Sequence, residues 1–160
     1  MIRAVIITVS DSSAAGTRED TSGAELKKRC TEMGWEIAET KVLPDDLLQI
    51  QEALFGYAGR LAGFDVVLTT GGTGVSPRDR TPEATHAIAD FEIPGFGELM
   101  RSEGLKKTRF APLSRSGAFA SKQTLILNLP GSPKGAVESL EAVAHLIPHA
   151  VDLLHGRTKH

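Results

Sequence analysis

Short apolar runs that end in polar or glycine-rich loops and alternate with helical patterns most strongly constrain the fold of this chain. The clearest run covers residues 65–70 and stops at Gly71-Gly72-Thr73-Gly74. Further strands are predicted at residues 4–9, 35–43 and 124–129, where apolar side chains are continuous or alternate with a period of two. Strands that alternate with helices indicate a parallel sheet covered on both faces. We therefore predict an α/β fold with three layers, α/β/α, around a mostly parallel central sheet.

Helical spacing and capping residues predict where the helices lie. The predicted helices run from a cap at Thr21 or Ser22 to Gly34, from Pro44-Asp45-Asp46 to Leu61, from a cap at Thr81 onward, over residues 96–103, and over residues 136–154 with a break or kink at Pro148. The stretch through residues 114 and 115 has no clear pattern and is expected to be irregular.

Composition narrows the class of protein. The 160 residues contain 18 basic and 20 acidic side chains, and the net charge of −2 argues against nucleic acid as a partner. The single cysteine, Cys30, excludes an internal disulfide, and no apolar run approaches the ~20 residues of a membrane span. The first residues do not resemble a signal peptide. We expect one domain over residues 1–160, in the cytoplasm, without a membrane or nucleic-acid partner.

Three predicted strands end in small or polar residues, and in a parallel sheet these ends share one edge. The loop after residue 70 is rich in glycine and is followed by the N-terminus of a predicted helix. Backbone amides in such a loop can bind a phosphate or another anion. The loop is neither a Walker A motif nor a dinucleotide fingerprint. The alternative is a tight turn without a ligand. If the loop does bind phosphate, a side chain at Gly72 is expected to weaken ligand binding more than it weakens the fold.

Short motifs follow one another in order over nearly the whole chain: Ser10-Asp11 with Asp20, Pro44-Asp45, Thr69 to Gly74, Arg78-Asp79 with Thr81-Pro82-Glu83-Ala84, Leu113-Ser114-Arg115, and Leu129 to Gly135. With these motifs the sequence resembles the molybdopterin-binding domains of molybdenum cofactor biosynthesis, especially the stand-alone Mog-type adenylyltransferases and the corresponding domain of gephyrin. The resemblance implies a Rossmann-like molybdopterin-binding fold.

The resemblance also implies an activity, molybdopterin adenylyltransferase: ATP and molybdopterin give adenylyl-molybdopterin and diphosphate, with Mg²⁺. It implies a homotrimer and a hand-off of the product to the enzyme that inserts molybdate. Two other readings stay open. One is a nucleotide pyrophosphatase domain like that of competence-damage-type proteins, and the other is a relative that binds molybdopterin without catalysis.

The resemblance also implies roles for individual residues, and several of these residues could instead have a purely structural role. Asp79 and Asp45 match the catalytic aspartates, and both are expected to hold Mg²⁺; the alternative is that each only caps a helix. Arg115 matches a position on the pterin side, where it suits a phosphate, and the alternative is a surface ion pair. The residues expected to bind ATP or molybdopterin are Ser10, Asp11, Asp20, Gly71, Gly72, Thr73, Gly74, Ser114, Arg115, Pro130, Gly131, Ser132 and Lys134.

Overall fold

A computed structural model describes residues 1–59 and 61–157. The six strands are β1 (Arg3–Val9), β2 (Glu36–Leu43), β3 (Val66–Thr70), β4 (Phe91–Ile93), β5 (Gly117–Ser121) and β6 (Thr124–Leu129). The helices are α1 (Asp11–Ala14), α2 (Thr21–Glu32), α3 (Leu47–Tyr57), α4 (Thr81–Ile88), α5 (Pro94–Leu105), α6 (Pro133–Val143) and α7 (Ile147–Leu154), with short 3-10 turns at Ala111–Leu113 and Ala144–Leu146.

The strands form one sheet in the order β2-β1-β3-β6-β5-β4. Neighbours among β2, β1, β3 and β6 pair in parallel, whereas β5 is antiparallel to both β6 and β4. The register places Val9 beside Leu43, and Thr70 beside both Thr8 and Leu129. Four parallel strands therefore end at the same edge of the sheet, and the predicted mostly parallel sheet is confirmed.

The sheet has a hydrophobic core on each face, and successive side chains of a strand pack alternately into one core and the other. On β1, Ala4 and Ile6 pack against α2, α5, α6 and α7, while Val5 and Ile7 pack against α3 and α4. This period of two is the property of a strand buried on both faces, and it explains the continuous apolar run in the sequence. The predicted three-layer α/β/α arrangement is confirmed.

Several predicted boundaries were wrong. Asp20, not Thr21 or Ser22, caps α2, because its Oδ1 accepts a hydrogen bond from the amide of Gly23 at 2.9 Å. Helix α3 ends at Tyr57, and Leu61 lies beyond it, fully exposed.

Thr81 does not cap α4. Its hydroxyl donates to the carbonyl of Gly71 at 2.9 Å, and the capping position falls on Arg80 without a side-chain bond. The last helical stretch breaks at Ala144–Leu146, and Pro148 lies in the first turn of α7, where a missing amide hydrogen costs nothing.

Two strands, β4 and β5, were not predicted, and β5 follows directly after the stretch expected to be irregular. Within the described residues, no helix combines the length and the apolar character that crossing a membrane requires.

Candidate functional site

The loops after β1, β3 and β6 meet at the carboxyl edge of the sheet, as expected, and the loop after β2 lies at the same edge. The amide of Ser10 donates to the carbonyl of Leu43 at 2.8 Å, which joins the first two loops. The hydroxyl of Thr70 donates to the carbonyl of Pro130 at 2.7 Å, and the amide of Gly71 donates to Leu129 at 3.1 Å. The polar residues that follow these four strands therefore lie around one common surface.

The turn after β3 requires glycine at two positions. Gly71 and Gly72 have φ angles of +104° and +67°, which side chains rarely tolerate. A Cβ atom on Gly71 would overlap the carbonyl oxygen of Val9, and one on Gly131 would lie 3.3 Å from the Cα atom of Gly71. Glycine thus lets the ends of β1, β3 and β6 approach closely.

This turn presents free backbone amides. Within residues 1–59 and 61–157, the amides of Gly72, Thr73 and Gly74 donate no hydrogen bond. Helix α4 begins a few residues later without a side-chain cap. Amides without an acceptor in a glycine-rich turn can bind an anion, and the helix N-terminus adds partial positive charge. The loop is therefore suited to oxygen atoms of a phosphate.

The expectation for a side chain at Gly72 needs correction. A Cβ atom there would overlap the hydroxyl of Thr81, a buried residue that binds the carbonyl of Gly71. The clash lies inside the protein, so a substitution at Gly72 disturbs the fold together with any bound ligand. We therefore expect a substitution at Gly72 to lower stability together with ligand binding, and not binding first as the sequence predicts.

Asp79 does not cap a helix. Its Oδ2 atom accepts a hydrogen bond from the amide of Ser76 at 2.9 Å, and its own amide donates to the carbonyl of Ser76 at 2.9 Å. A Cβ atom on Gly74 would lie 2.7 Å from Oδ2, so the carboxylate lies directly against the glycine-rich turn. The other oxygen, Oδ1, accepts no hydrogen bond from the described residues.

Asp45 does not cap a helix either. The cap of α3 is Asp46, whose Oδ1 accepts from the amide of Gln49 at 2.9 Å. Asp45 instead exchanges two hydrogen bonds with Asp11: its amide donates to Oδ1 of Asp11 at 2.9 Å, and its Oδ2 accepts from the amide of Asp11 at 3.1 Å. A hypothetical Cβ on Gly72 would lie 3.5 Å from Oδ1 of Asp45, so this oxygen lies beside the glycine turn.

The charge around Asp45 favours a cation. Partial burial is the main reason why the pKa of the Asp45 carboxyl is raised above its ordinary value, and the negative charges of Asp11 and Asp79 add to the effect. A cation beside these carboxylates would relieve that cost. In the described part of the chain, no cluster of three or more His, Cys, Asp or Glu side chains is arranged to hold a metal ion. Further ligands would have to come from water or from a bound molecule.

Asp11 is engaged within the protein. Its carboxylate pairs with the guanidinium of Arg78, with distances of 2.7 and 2.8 Å from Nη2 to the two oxygens. This hydrogen bond holds the pKa of Asp11 below its ordinary value. Asp11 thereby joins three loops, because it contacts Asp45 after β2 and Arg78 in the loop after β3. Sequence reasoning missed Arg78 as its partner, since 67 residues separate the two.

The remaining residues of the first loop also have structural partners. Ser10 caps α1 by accepting a hydrogen bond from the amide of Ser13 at 3.2 Å. Asp20 accepts from the hydroxyl of Thr8 at 2.8 Å in addition to capping α2. Both line a small cavity of about 60 Å³ that also includes Thr70 and Gly131. They lie next to the glycine-rich turn without facing the same cavity as Asp79.

Two larger cavities continue along the edge. The first, about 380 Å³, is lined by Gly72, Thr73, Gly74, Asp79, Leu113, Ser114, Pro130, Gly131 and Ser132. The second, about 450 Å³, lies between α5 and α6 and shares Ser114, Pro130 and Ser132 with the first. The structure thus brings together most of the predicted binding residues.

Two further predicted residues, Lys134 and Arg115, make contacts within the protein. Lys134 lines neither of the larger cavities; its side chain is 86% exposed, and its ammonium lies 3.9 Å from Glu138. Arg115 directs its guanidinium at the backbone of the glycine-rich loop and at Glu83. Partial burial alone would raise the pKa of the Glu83 carboxyl. The hydrogen bond from Arg115 outweighs this effect and holds that pKa below its ordinary value.

Known proteins resemble this chain over nearly its full length. Residues 5–149 match the family model described as "Probable molybdopterin binding domain". A molybdopterin adenylyltransferase of Helicobacter pylori is 40% identical over 94% of this chain and 86% of its own. The chain also matches a molybdenum cofactor biosynthesis bifunctional protein of Synechococcus elongatus, with 37% identity over 96% of this chain, but spans only 47% of that relative's length.

Solved structures agree with the sequence relatives. The molybdopterin biosynthesis enzyme MoaB of Thermus thermophilus superposes with a TM-score of 0.90 at 49% identity, covering 98% of both chains. The CinA protein of Thermoplasma acidophilum superposes with a TM-score of 0.68 over 91% of this chain and 97% of its own, but at 22% identity it shares the fold alone. The family match and the sequence identities show that this chain belongs to the family of probable molybdopterin binding domains.

Proposed function

We propose that the chain is a molybdopterin adenylyltransferase, which transfers AMP from ATP to molybdopterin. The observation that carries the proposal is that two aspartates, Asp45 and Asp79, lie beside a glycine turn with three amides that donate to no acceptor in the described part of the chain. Relatives at 37% and 40% identity bear the name molybdopterin adenylyltransferase, and each is covered over 86% of its length. An oxygen of the pterin's terminal phosphate attacks the α-phosphorus, the bond to the bridging oxygen breaks, and diphosphate leaves.

The residues of this chain would act by position and charge rather than as a covalent nucleophile. The amides of Gly72, Thr73 and Gly74 would donate to phosphate oxygens and stabilise the charge that grows in the transition state. The wall that both cavities share, formed by Ser114, Pro130 and Ser132, would separate the two substrates or hold the pterin. Ser10 and Asp20 would border the phosphate site from the first loop and keep its shape through their helix caps.

The residues present fit Mg²⁺ as the metal of this reaction. Asp45 and Asp79 each retain one carboxylate oxygen without a hydrogen bond from the described residues. Mg²⁺ in proteins commonly takes one or two carboxylates and completes its shell with water and substrate phosphates, so two free oxygens suffice. When bound, the ion would neutralise phosphate charge. Asp45 and Asp79 would hold it beside the phosphate group whose oxygens the amides of the glycine turn would bind.

One assay tests the activity against both alternatives. The purified chain is incubated with molybdopterin, ATP and Mg²⁺, and products are followed by mass spectrometry. Adenylyl-molybdopterin and diphosphate in equal amounts support the proposal. AMP and diphosphate without the adduct would instead indicate a pyrophosphatase, because water would have replaced the pterin phosphate as nucleophile. Binding of molybdopterin without either product would indicate a non-catalytic relative.

Two substitutions separate the fold from the reaction. Gly72→Ala is expected to cost about 1–3 kcal/mol of stability, because residue 72 has a φ of +67° and its Cβ overlaps Thr81. Gly74→Ala has no such strain, and its Cβ meets only the end of the Asp79 side chain, at 2.7 Å. Gly74→Ala should therefore lower kcat by roughly tenfold with little change in melting temperature, since a small misplacement of a working group is costly. Normal turnover in Gly74→Ala would argue against the role of Asp79.

We also propose that the protein works as a homotrimer in the cytoplasm and hands its product to a molybdate-inserting enzyme. Large apolar side chains on the surface support self-association, including Leu48 and Phe55 on α3, which are 73% and 75% exposed. Sedimentation should give a mass three times that of the 17.1 kDa chain. A stable monomer at micromolar concentration would contradict the trimer.

A further inference from the structure

The side chain of Arg115 connects both ends of the loop that carries Asp79. Its Nε atom donates to the carbonyl of Gly74 at 2.8 Å, and its Nη2 atom donates to the carbonyl of Asp79 at 2.8 Å. The amide of Arg115 donates to the carbonyl of Thr73, also at 2.8 Å. One residue of a distant segment thus contacts the loop backbone at three points.

The third arm of the guanidinium is fixed from the other side. Its Nη1 atom lies 2.6 Å from Oε1 of Glu83, which is in the first turn of α4. The planar guanidinium therefore bridges the loop and the helix that follows it, with each of its three nitrogens bound to the protein. A rigid fork of this kind suits several fixed acceptors at once, whereas an ammonium group has no such geometry.

The loop closed by Arg115 holds the groups proposed to contact phosphate and metal. Within it, Ser76 and Asp79 exchange a backbone bond and a bond from the Ser76 amide to the Asp79 carboxylate, both 2.9 Å long. Without the guanidinium, the carbonyls of Gly74 and Asp79 would have no common donor. The loop would then be free to open, which would move the Asp79 carboxylate away from the amides of the glycine turn.

We propose that Arg115 is a positioning residue that fixes the Gly74–Asp79 loop, and that it does not bind substrate phosphate itself. The effect on catalysis rests on the function proposed above. The effect on the loop does not, because it is a property of the free protein.

The test compares Arg115→Lys with Arg115→Gln. A positioning residue predicts that both variants lower kcat by a similar factor, roughly 10- to 100-fold, because the fork geometry is lost in each. A phosphate-binding residue predicts that lysine keeps most of the affinity for ATP and molybdopterin while glutamine loses it. Affinities are measured by calorimetry with each substrate alone, and kcat and KM by the adenylylation assay.

Hydrogen exchange of the free protein gives a readout that is independent of the reaction. The amides of Ser76 and Asp79 should exchange at least about tenfold faster in both variants, while amides of β3 stay protected. Arg101→Lys is the matched control: Arg101 donates to the carbonyls of Ser114 and Ser116 at 3.3 and 2.8 Å, but it makes no hydrogen bond to the loop. This control should leave the exchange at Ser76 and Asp79 unchanged.

The outcomes separate cleanly. Faster exchange confined to the loop, with Lys and Gln equally impaired in kcat, supports the proposal. Unchanged exchange in the loop, or a lysine variant that retains substrate affinity where glutamine loses it, would overturn it. If no variant and not even the parent protein forms adduct, the proposed function fails, while the exchange result still decides whether Arg115 fixes the loop.

Discussion

Asp79→Asn is expected to reduce adenylyl transfer by about 10²–10³-fold while the folded protein still binds molybdopterin. Asparagine keeps the shape of the side chain, and its amide oxygen can still accept the hydrogen bond that the Ser76 amide gives at 2.9 Å. What it lacks is the negative charge that a divalent cation requires. The loss should therefore appear in kcat more than in the affinity for the pterin, because the charge matters most in the transition state.

Stability measured in parallel gives the control for this variant. The side chain of Asp79 does not cap α4, so its replacement should leave the melting temperature nearly unchanged. Turnover close to that of the parent protein would refute a metal role for Asp79. A large fall in melting temperature, with normal turnover per folded molecule, would return Asp79 to a purely structural role.

The central strands could be predicted because their pattern is local. Strands β1, β3 and β6 are runs of apolar residues buried on both faces, and each is followed by a small or polar loop. The glycine-rich turn could also be predicted, because glycine adopts the positive φ angles that tight turns need. Their order at one edge follows from the rules of parallel sheets rather than from any single residue.

The antiparallel edge could not be predicted from local pattern. Strand β5 has the sequence Gly-Ala-Phe-Ala-Ser, in which small residues replace the branched ones that strands favour. It is a strand because β6 and β4 pair with it on both sides, and β6 connects to it by a short turn in which Lys122 has a φ of +55°. Strand β4 has only three residues, Phe91–Ile93, and its partner is distant in sequence.

The residues of the candidate site could be predicted from the sequence, but the hydrogen bonds that hold them in place could not. The motifs placed Asp45, Asp79 and the glycines together, yet the partners that hold them are far away along the chain. Arg115 binds the carbonyl of Gly74 across 41 residues. Helix caps could also be misplaced by one or two positions, because several acceptors stand side by side, as Asp45 and Asp46 do before α3. Which of the two serves the helix, and which serves the site, is decided by the tertiary contact with Asp11.

Substitution of Asp45 is expected to have the second large effect on turnover, and its neighbour Asp46 provides the control. Asp45→Asn is expected to lower kcat by roughly 10²-fold, because the carboxylate charge beside the glycine turn is lost while the bond from the amide of Asp11 can persist. The same substitution should raise the free energy of unfolding, although it lowers kcat. The pKa of Asp45 is raised, chiefly by burial, so the charged form is disfavoured in the folded protein at neutral pH. Removing the charge should stabilise the fold slightly; this gain should shrink as the pH falls below the raised pKa of Asp45 and be absent below the ordinary pKa of an aspartate, 3.8.

Asp46→Ala is the matched control for this prediction, because it removes the neighbouring carboxylate that caps α3. Its loss should cost about 1 kcal/mol of stability, the usual value for an N-cap, and leave turnover per folded molecule unchanged. The two variants should therefore have opposite effects: Asp45→Asn loses activity without losing stability, and Asp46→Ala loses stability without losing activity. Thermal melting and initial rates on the same preparations give both quantities. If Asp45→Asn behaved like Asp46→Ala, Asp45 would have no part in the chemistry, and Asp79 would have to act without a second carboxylate.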